Sequence, residues 1–285
     1  MSNLDNPKGR LSPEEIADLE VLVQYSLPED TRLALENNFP PEQLQNWDQV
    51  QEGLRTGWLN LHELRSKSSG DLRSARLMVV YPARMRNEVS FILVAWVVTP
   101  DSVAKAAVDS AACADASLGP GAVGDAVASA VGHGQGKGKG YGSYLRTLSY
   151  DITKSHNPHA IGLVAERESP VNATSASDQT VKRASWMKRI GLLRIDDLTY
   201  EIPPLMTVEE REDSYVPVSG RKKAFKAADL LLSRFDGQRI VDGKIVYSIV
   251  ERIYESGYSI KPDDPYLVER LSQIEQNKIY NLVEN

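Results

Sequence analysis

The most specific chemistry in this chain lies in a run of alternating glycines, Gly136-Lys137-Gly138-Lys139-Gly140-Tyr141-Gly142, followed at once by Ser143-Tyr144-Leu145-Arg146-Thr147-Leu148. Glycines at every second position let a chain turn tightly and approach a ligand closely. A helix opening directly behind them presents N–H groups that have no partner within the helix, together with the positive end of its dipole. Lys137 and Lys139 add full charges. Such a segment suits a phosphate or pyrophosphate. The spacing does not fit the nucleoside-triphosphate loop, which would need glycine where Val131 or His133 stands and a Ser or Thr after the lysine. Gly138-x-Gly140-x-Gly142 also differs from the Gly-x-Gly-x-x-Gly of dinucleotide sites. The plain alternative is a flexible Gly/Lys linker, and the helix and strand–helix–strand pattern that follow argue against it.

Proton-transfer candidates lie close by. Glu166 and Glu168 stand at the end of an apolar run starting at Ala160, where partial burial would raise a carboxyl pKa; the plain reading is an exposed strand end paired with Arg167. Tyr141 and Tyr144 could donate protons or simply pack on the helix face. His133 adjoins the glycine run, as a phosphate contact, a base or a solvated loop residue. His156 and His159 flank Asn157-Pro158 with no cysteine or carboxylate cluster beside them, so no metal site is expected. The single cysteine, Cys113, excludes an intrachain disulfide framework and multi-cysteine zinc sites, and reads as a small packed residue.

The elements that must position these groups follow from composition and periodicity. The 285 residues are 41% hydrophobic, enough for a real core, and 25% charged. A net charge of −6 gives no general affinity for nucleic acid. The polar N-terminus carries no signal peptide. The longest strongly apolar run, Phe91 to Val98, is far shorter than the roughly 20 residues of a membrane helix. A cytoplasmic location, with no membrane or nucleic-acid partner, is the expectation.

Residues 1–70 read as a helical N-terminal extension. Ser12-Pro13-Glu14-Glu15 forms a capping box, with Ile16, Leu19 and Val23 on one helical face. Pro40-Pro41-Glu42 begins another helix, running to about Trp58. Residues 76–81 and 89–98 read as strands of a hairpin, the second one buried on both faces. Residues 101–134 form an Ala/Gly-rich loop, with a short strand at 126–131. Ser143 to about Ser155 is a helix, Ala160 to Glu166 a parallel strand, and Gln179 to Ile190 a helix stopped by Gly191 at its C′ position. Leu192 to Ile202 is a strand broken near Asp196-Asp197. From residue 206 to 285 the chain reads as a helical C-terminal extension, with helices at 221–234, 241–256 and 265–283 for packing or assembly. This divides the chain into 1–70, a core of 71–205 and 206–285.

The core, roughly residues 75–205, resembles the GNAT superfamily of acyl-CoA-dependent N-acyltransferases. Its Arg/Gln-x-x-Gly-x-Gly/Ala signature aligns with Lys137-Gly138-Lys139-Gly140-Tyr141-Gly142, with lysine in the first position. A second register, from Gln135 to Gly140, keeps the glutamine; the first puts Leu145 and Leu148 at the family's apolar helix positions. Arg183-Ala184-Ser185-Trp186-Met187-Lys188-Arg189-Ile190-Gly191-Leu192 resembles the family's later helix end, with Met187 where a proton-donating tyrosine is common.

The resemblance implies an α/β fold with a mixed sheet, a GNAT-like core between helical extensions. It implies acetyl-CoA or another acyl-CoA as cosubstrate, bound through Lys137, Gly138, Lys139, Gly140, Tyr141, Gly142 and Ser143. The expected reaction is direct transfer to a primary amine of a small molecule or protein, without metal. Glu166, Glu168 and Tyr144 are the catalytic candidates. The alternative is a GNAT-like fold with little or no catalysis, used for interaction or assembly. A homo-oligomer or protein partner would dock through the terminal helices.

Overall fold

The computed structural model describes residues 11–38, 47–86, 88–98, 140–169, 191–204, 215–221 and 226–284, together with Val181, Ala184, Met187 and Lys188. Along these run α1 (Pro13–Ala17), β1 (Leu19–Gln24), α2 (Glu29–Asn38), α3 (Trp47–Thr56), β2 (Leu59–Ser66), β3 (Leu72–Tyr81), β4 (Ser90–Val98), α4 (Tyr141–His156), β5 (Ala160–Glu168), β6 (Leu193–Ile195), β7 (Tyr200–Ile202), β8 (Lys226–Arg234), β9 (Ile240–Asp242), α5 (Gly243–Arg252), α6 (Pro265–Ser272) and β10 (Ile279–Val283). A π-helical turn, Ile253–Gly257, continues α5. The fold is α/β with a mixed sheet: β4 and β5 are parallel, whereas β1–β2, β2–β3, β5–β8 and β10–β9 pair antiparallel.

The chain divides into two compact units. One comprises Met1–Val80, Val94–Ala122 and Ser129–Pro158, the other Tyr81–Leu93, Val123–Ala128 and His159–Asn285. In the first unit β2 is sandwiched between β1 and β3, and its alternating side chains serve two layers. Leu59 and Leu61, with Ala75 and Leu77 of β3, pack on Ala34 and Leu35 of α2 and on Val50 and Leu54 of α3. Leu64 points the other way, into a cluster with Leu11, Leu19 and the α4 residues Tyr141 and Leu145. Glu63, fully buried, accepts hydrogen bonds from Thr31, from Gln24 Nε2 at 2.7 Å and from Arg65 Nε at 2.8 Å.

In the second unit residues 90–93 of β4 lie beside β5, which continues through β8, β6, β10 and β9, with β7 also on β8. Gly162 of β5 is there because β8 comes too close for a side chain: a Cβ at this position would sit 2.2 Å from the Ser233 carbonyl oxygen. On one face of β5, Ala165 packs with Met187, Leu192 and Leu231. Asp242 caps α5 and Asp264 caps α6, each side chain accepting a backbone N–H of the first turn.

Several expectations hold. The Ser12/Glu15 capping box is present in both directions. The strands at 76–81 and 89–98, the helix after the glycine run and the strand from Ala160 all form. Gly191 stands at φ 74°, with Gly191 N–H donating to Lys188 O and Leu192 N–H to Met187 O, the Schellman pairing of a helix stop. The helical reading of the extensions is corrected. In 1–70, α1 ends at Ala17, and Leu19 and Val23 belong to strand β1; residues 59–66 are strand β2. In 206–285, the expected helix at 221–234 is strand β8, and the one at 265–283 stops at Ser272 and gives way to β10. Apolar stripes at helical spacing and alternating strand faces are hard to separate in short segments, and tertiary pairing decides. The loop 101–134, its short strand and the start of the Pro40 helix lie outside the described residues.

Candidate functional site

The glycine run meets the described structure at Gly140, which stands at φ 93° as N-cap of α4. A side chain there would be strained. Among the described residues no side chain caps this helix end, and its first turn contains no acidic residue. Tyr144 N–H already donates to Gly140 O at 2.9 Å. The N–H groups of the first turn, on Tyr141, Gly142 and Ser143, therefore precede the helix's own hydrogen-bond ladder, which is the arrangement an anion cradle requires. Tyr141 is buried and Tyr144 half-buried, both in the cluster with Leu64 and Leu145. Lys137, Gly138 and Lys139 lie outside the described residues, as does His133.

Glu166 is the chemically unusual carboxylate. It sits in β5 opposite Leu230 of β8 and is 2% exposed. Its oxygens accept hydrogen bonds from the Tyr200 hydroxyl, on β7, and from the Tyr258 hydroxyl, which is 3.0 Å from each of them. Burial raises its pKa to about 7, against the lowering effect of the two phenols. A carboxyl group with that affinity can take up and release a proton near neutrality. Burial and the neighbouring carboxylate drive the Tyr200 and Tyr258 hydroxyls well above the usual phenol range, so both remain donors.

The surroundings hold these phenols in place. Tyr254 of the π-helical turn packs on Tyr200 (centroids 5.5 Å apart) and edge-on against Tyr258. Tyr254 O–H donates to Glu201 O at 2.6 Å. Arg221 fixes the backbone of Tyr258 and Ser259 by donating to both carbonyls, at 3.1 and 3.3 Å, and also to Pro204 O at 2.7 Å. Ser259 is left-handed, at φ 52°.

The other candidates fall elsewhere. Glu168 ends β5 opposite Ala228, and its side chain lies outside the described set. Arg167 is fully buried on the opposite face of β5 from Glu166, ion-paired with Asp229 directly across on β8. Met187 is buried against Ala165, Leu192 and Leu231. Sequence reading missed Tyr200, Tyr254 and Tyr258. They are 34 to 92 residues from Glu166 or in a segment read as packing helix, and no local spacing links them to it. Among the described residues no group of three or more His, Cys, Asp or Glu could hold a metal ion, and no helix is long and apolar enough to cross a membrane.

No family model matches the chain, and no curated protein does. Solved structures do. The ribosomal-protein-S5-alanine acetyltransferase of Vibrio fischeri is 8% identical, with a TM-score of 0.40, covering 78% of this chain and 96% of that one. Arabidopsis thaliana NAA60 in complex with acetyl-CoA is 9% identical, TM-score 0.40, covering 76% and 100%. An acetyltransferase assigned to the GNAT family from Desulfovibrio desulfuricans is 13% identical, TM-score 0.37, covering 75% and 99%. The solved structures to which the chain is similar thus include GNAT-type acetyltransferases.

Proposed function

We propose that this chain is an acetyl- or acyl-CoA-dependent N-acyltransferase acting on a primary amine by direct transfer. The observation that carries the reading is the left-handed Gly140 at the N-terminus of α4, in a glycine–lysine run that falls in sequence between the parallel strands β4 and β5. In this reading Lys137 to Ser143 hold the pyrophosphate of the cosubstrate, the lysines by charge and the helix by its first-turn N–H groups.

The chemistry needs a deprotonated amine, whose nitrogen attacks the thioester carbonyl carbon. The C–S bond then breaks, the thiolate leaves and takes up one proton, and the products are an amide and free coenzyme A. Glu166, with a proton affinity near neutrality, serves as the base for the amine, directly or through a water. Glu168 remains a second candidate base, and Tyr144 a candidate for proton delivery to the thiolate. Calorimetry with acetyl-CoA and with coenzyme A tests the reading; no binding heat at millimolar ligand would sink it. Thiol release with a panel of primary amines then identifies the acceptor.

A further inference from the structure

The first unit contains a basic cluster that acyl transfer leaves unused. His62 of β2 and Arg76 of β3 stand directly opposite one another in the antiparallel register, so they share a face. Arg76 is 3% exposed; its Nη1 donates to Ser149 Oγ of α4 at 2.9 Å, and its Nε has no partner. His62 is fully buried, and among the described residues neither ring nitrogen has a partner. Arg146, one turn before Ser149, brings a second guanidinium whose buried Nε is likewise unpartnered. Leu64 and Leu145 pack on one side of the cluster, and on the other Thr153 contacts Met78 sulfur at 3.6 Å.

Among the described residues no carboxylate offsets these groups. Burial and, after it, the charge of Arg146 lower the Arg76 pKa to about 9. Burial also lowers Arg146 to about 10, opposed only by Tyr150. His62 falls to about 4 through burial, then Arg76, then His156 at the end of α4. Two guanidinium groups that repel one another, with donors unmet, are costly in a low-dielectric interior. The cost is offset if an anion with several acceptor oxygens meets them. Guanidinium forks match tetrahedral oxyanions of the phosphate type, and a dianion balances two such charges.

We propose that the His62–Arg76–Arg146 cluster beneath α4 binds a phosphate-class oxyanion, either free or as part of a larger ligand. The proposal rests on the first unit alone and does not depend on the acyltransferase reading.

Thermal unfolding of the full chain tests it, with inorganic phosphate titrated against chloride at constant ionic strength. The expected result is a saturable, phosphate-specific rise, roughly 3–6 °C at ten times the dissociation constant. Arg76→Met should abolish that rise while melting at or above wild type in chloride, because an unpaired buried charge has gone. Arg146→Met is the second variant, should Arg76→Met fail to fold. The His62 ring-proton resonance should move at the same phosphate concentration. Coenzyme A and its 3′-dephospho form separate the sources: dependence on the 3′-phosphate, lost in Arg76→Met, assigns a ligand phosphate, and the inorganic response alone assigns a free anion. No phosphate-specific rise with either source in the wild type, or an undiminished one in the folded variants, overturns the proposal.

Discussion

The Tyr258 hydroxyl lies 3.0 Å from each oxygen of the Glu166 carboxylate. A phenol placed this way stabilises the ionised form, so it opposes the burial that pushes the carboxyl group up to about 7. Tyr258→Phe should therefore raise the Glu166 pKa further. Labelled-carboxyl NMR reads it directly. If turnover is found, the acid limb of its pH profile should move to higher pH by the same amount. A Glu166 titration at or below its wild-type position in this variant would contradict the assignment.

The same carboxyl group makes stability depend on pH. Its folded pKa lies above the ordinary carboxyl value of 4.5, so between about pH 4.5 and 7 the folded state holds the proton more tightly than the unfolded chain. Its contribution is fully present below that window and is lost as pH rises through 7, on the order of 3 kcal/mol in all. Denaturant unfolding at pH 5 and pH 8 should show this fall in the wild type. Glu166→Gln should flatten it.

Gly140→Val tests the anion cradle. The position is left-handed at φ 93°, and a β-branched residue there costs about 1–3 kcal/mol if the turn is kept. Calorimetry should show acetyl-CoA binding lost while circular dichroism retains the fold. Undiminished binding would place the ligand elsewhere.

Asp229→Ala leaves the Arg167 guanidinium buried without its partner. A loss of about 3–5 kcal/mol in unfolding free energy is expected. Restoring an apolar pair with Arg167→Met and Asp229→Leu should recover most of it, because removing both charges also removes their desolvation.

Gly162→Ala would bring a Cβ to 2.2 Å from the Ser233 carbonyl oxygen. The atom it meets is backbone, which cannot rotate aside, so the β5–β8 pairing must open. A loss of about 3 kcal/mol is expected, at the upper end of overpacking effects. A change within 0.5 kcal/mol would show that these strands separate easily.

Where local signals agreed with tertiary pairing, the sequence could be read directly. The apolar run at residues 91–98, the helix that opens at Gly140 and the Gly191 stop each had one dominant cause, and each forms. β8 shows why other segments did not. Lys226–Arg234 reads Lys-Ala-Ala-Asp-Leu-Leu-Leu-Ser-Arg, made of helix formers, yet it forms a strand because β5, β6 and β7 all pair with it. β2 misleads through its charges. Glu63 and Arg65 would belong on a solvated helix face, but Glu63 is buried among Thr31, Gln24 and Arg65, and Arg65 also reaches Asp30 at 2.7 Å. For the candidate site, Glu166 could be found from its place at a strand end. Its phenol partners could not, because only the folded β7 and the π-helical turn bring them to it.

β10 lies between β6 and β9, and so occupies an interior place in the second unit although residues 279–283 are its last strand in sequence. During synthesis β6 and β9 therefore wait with open edges until residue 283 has emerged. The second unit closes after translation has passed that point, whereas every described element of the first unit is available by Pro158. The two units should thus reach protection from hydrogen exchange at different chain lengths on the ribosome, with the one carrying Glu166 last.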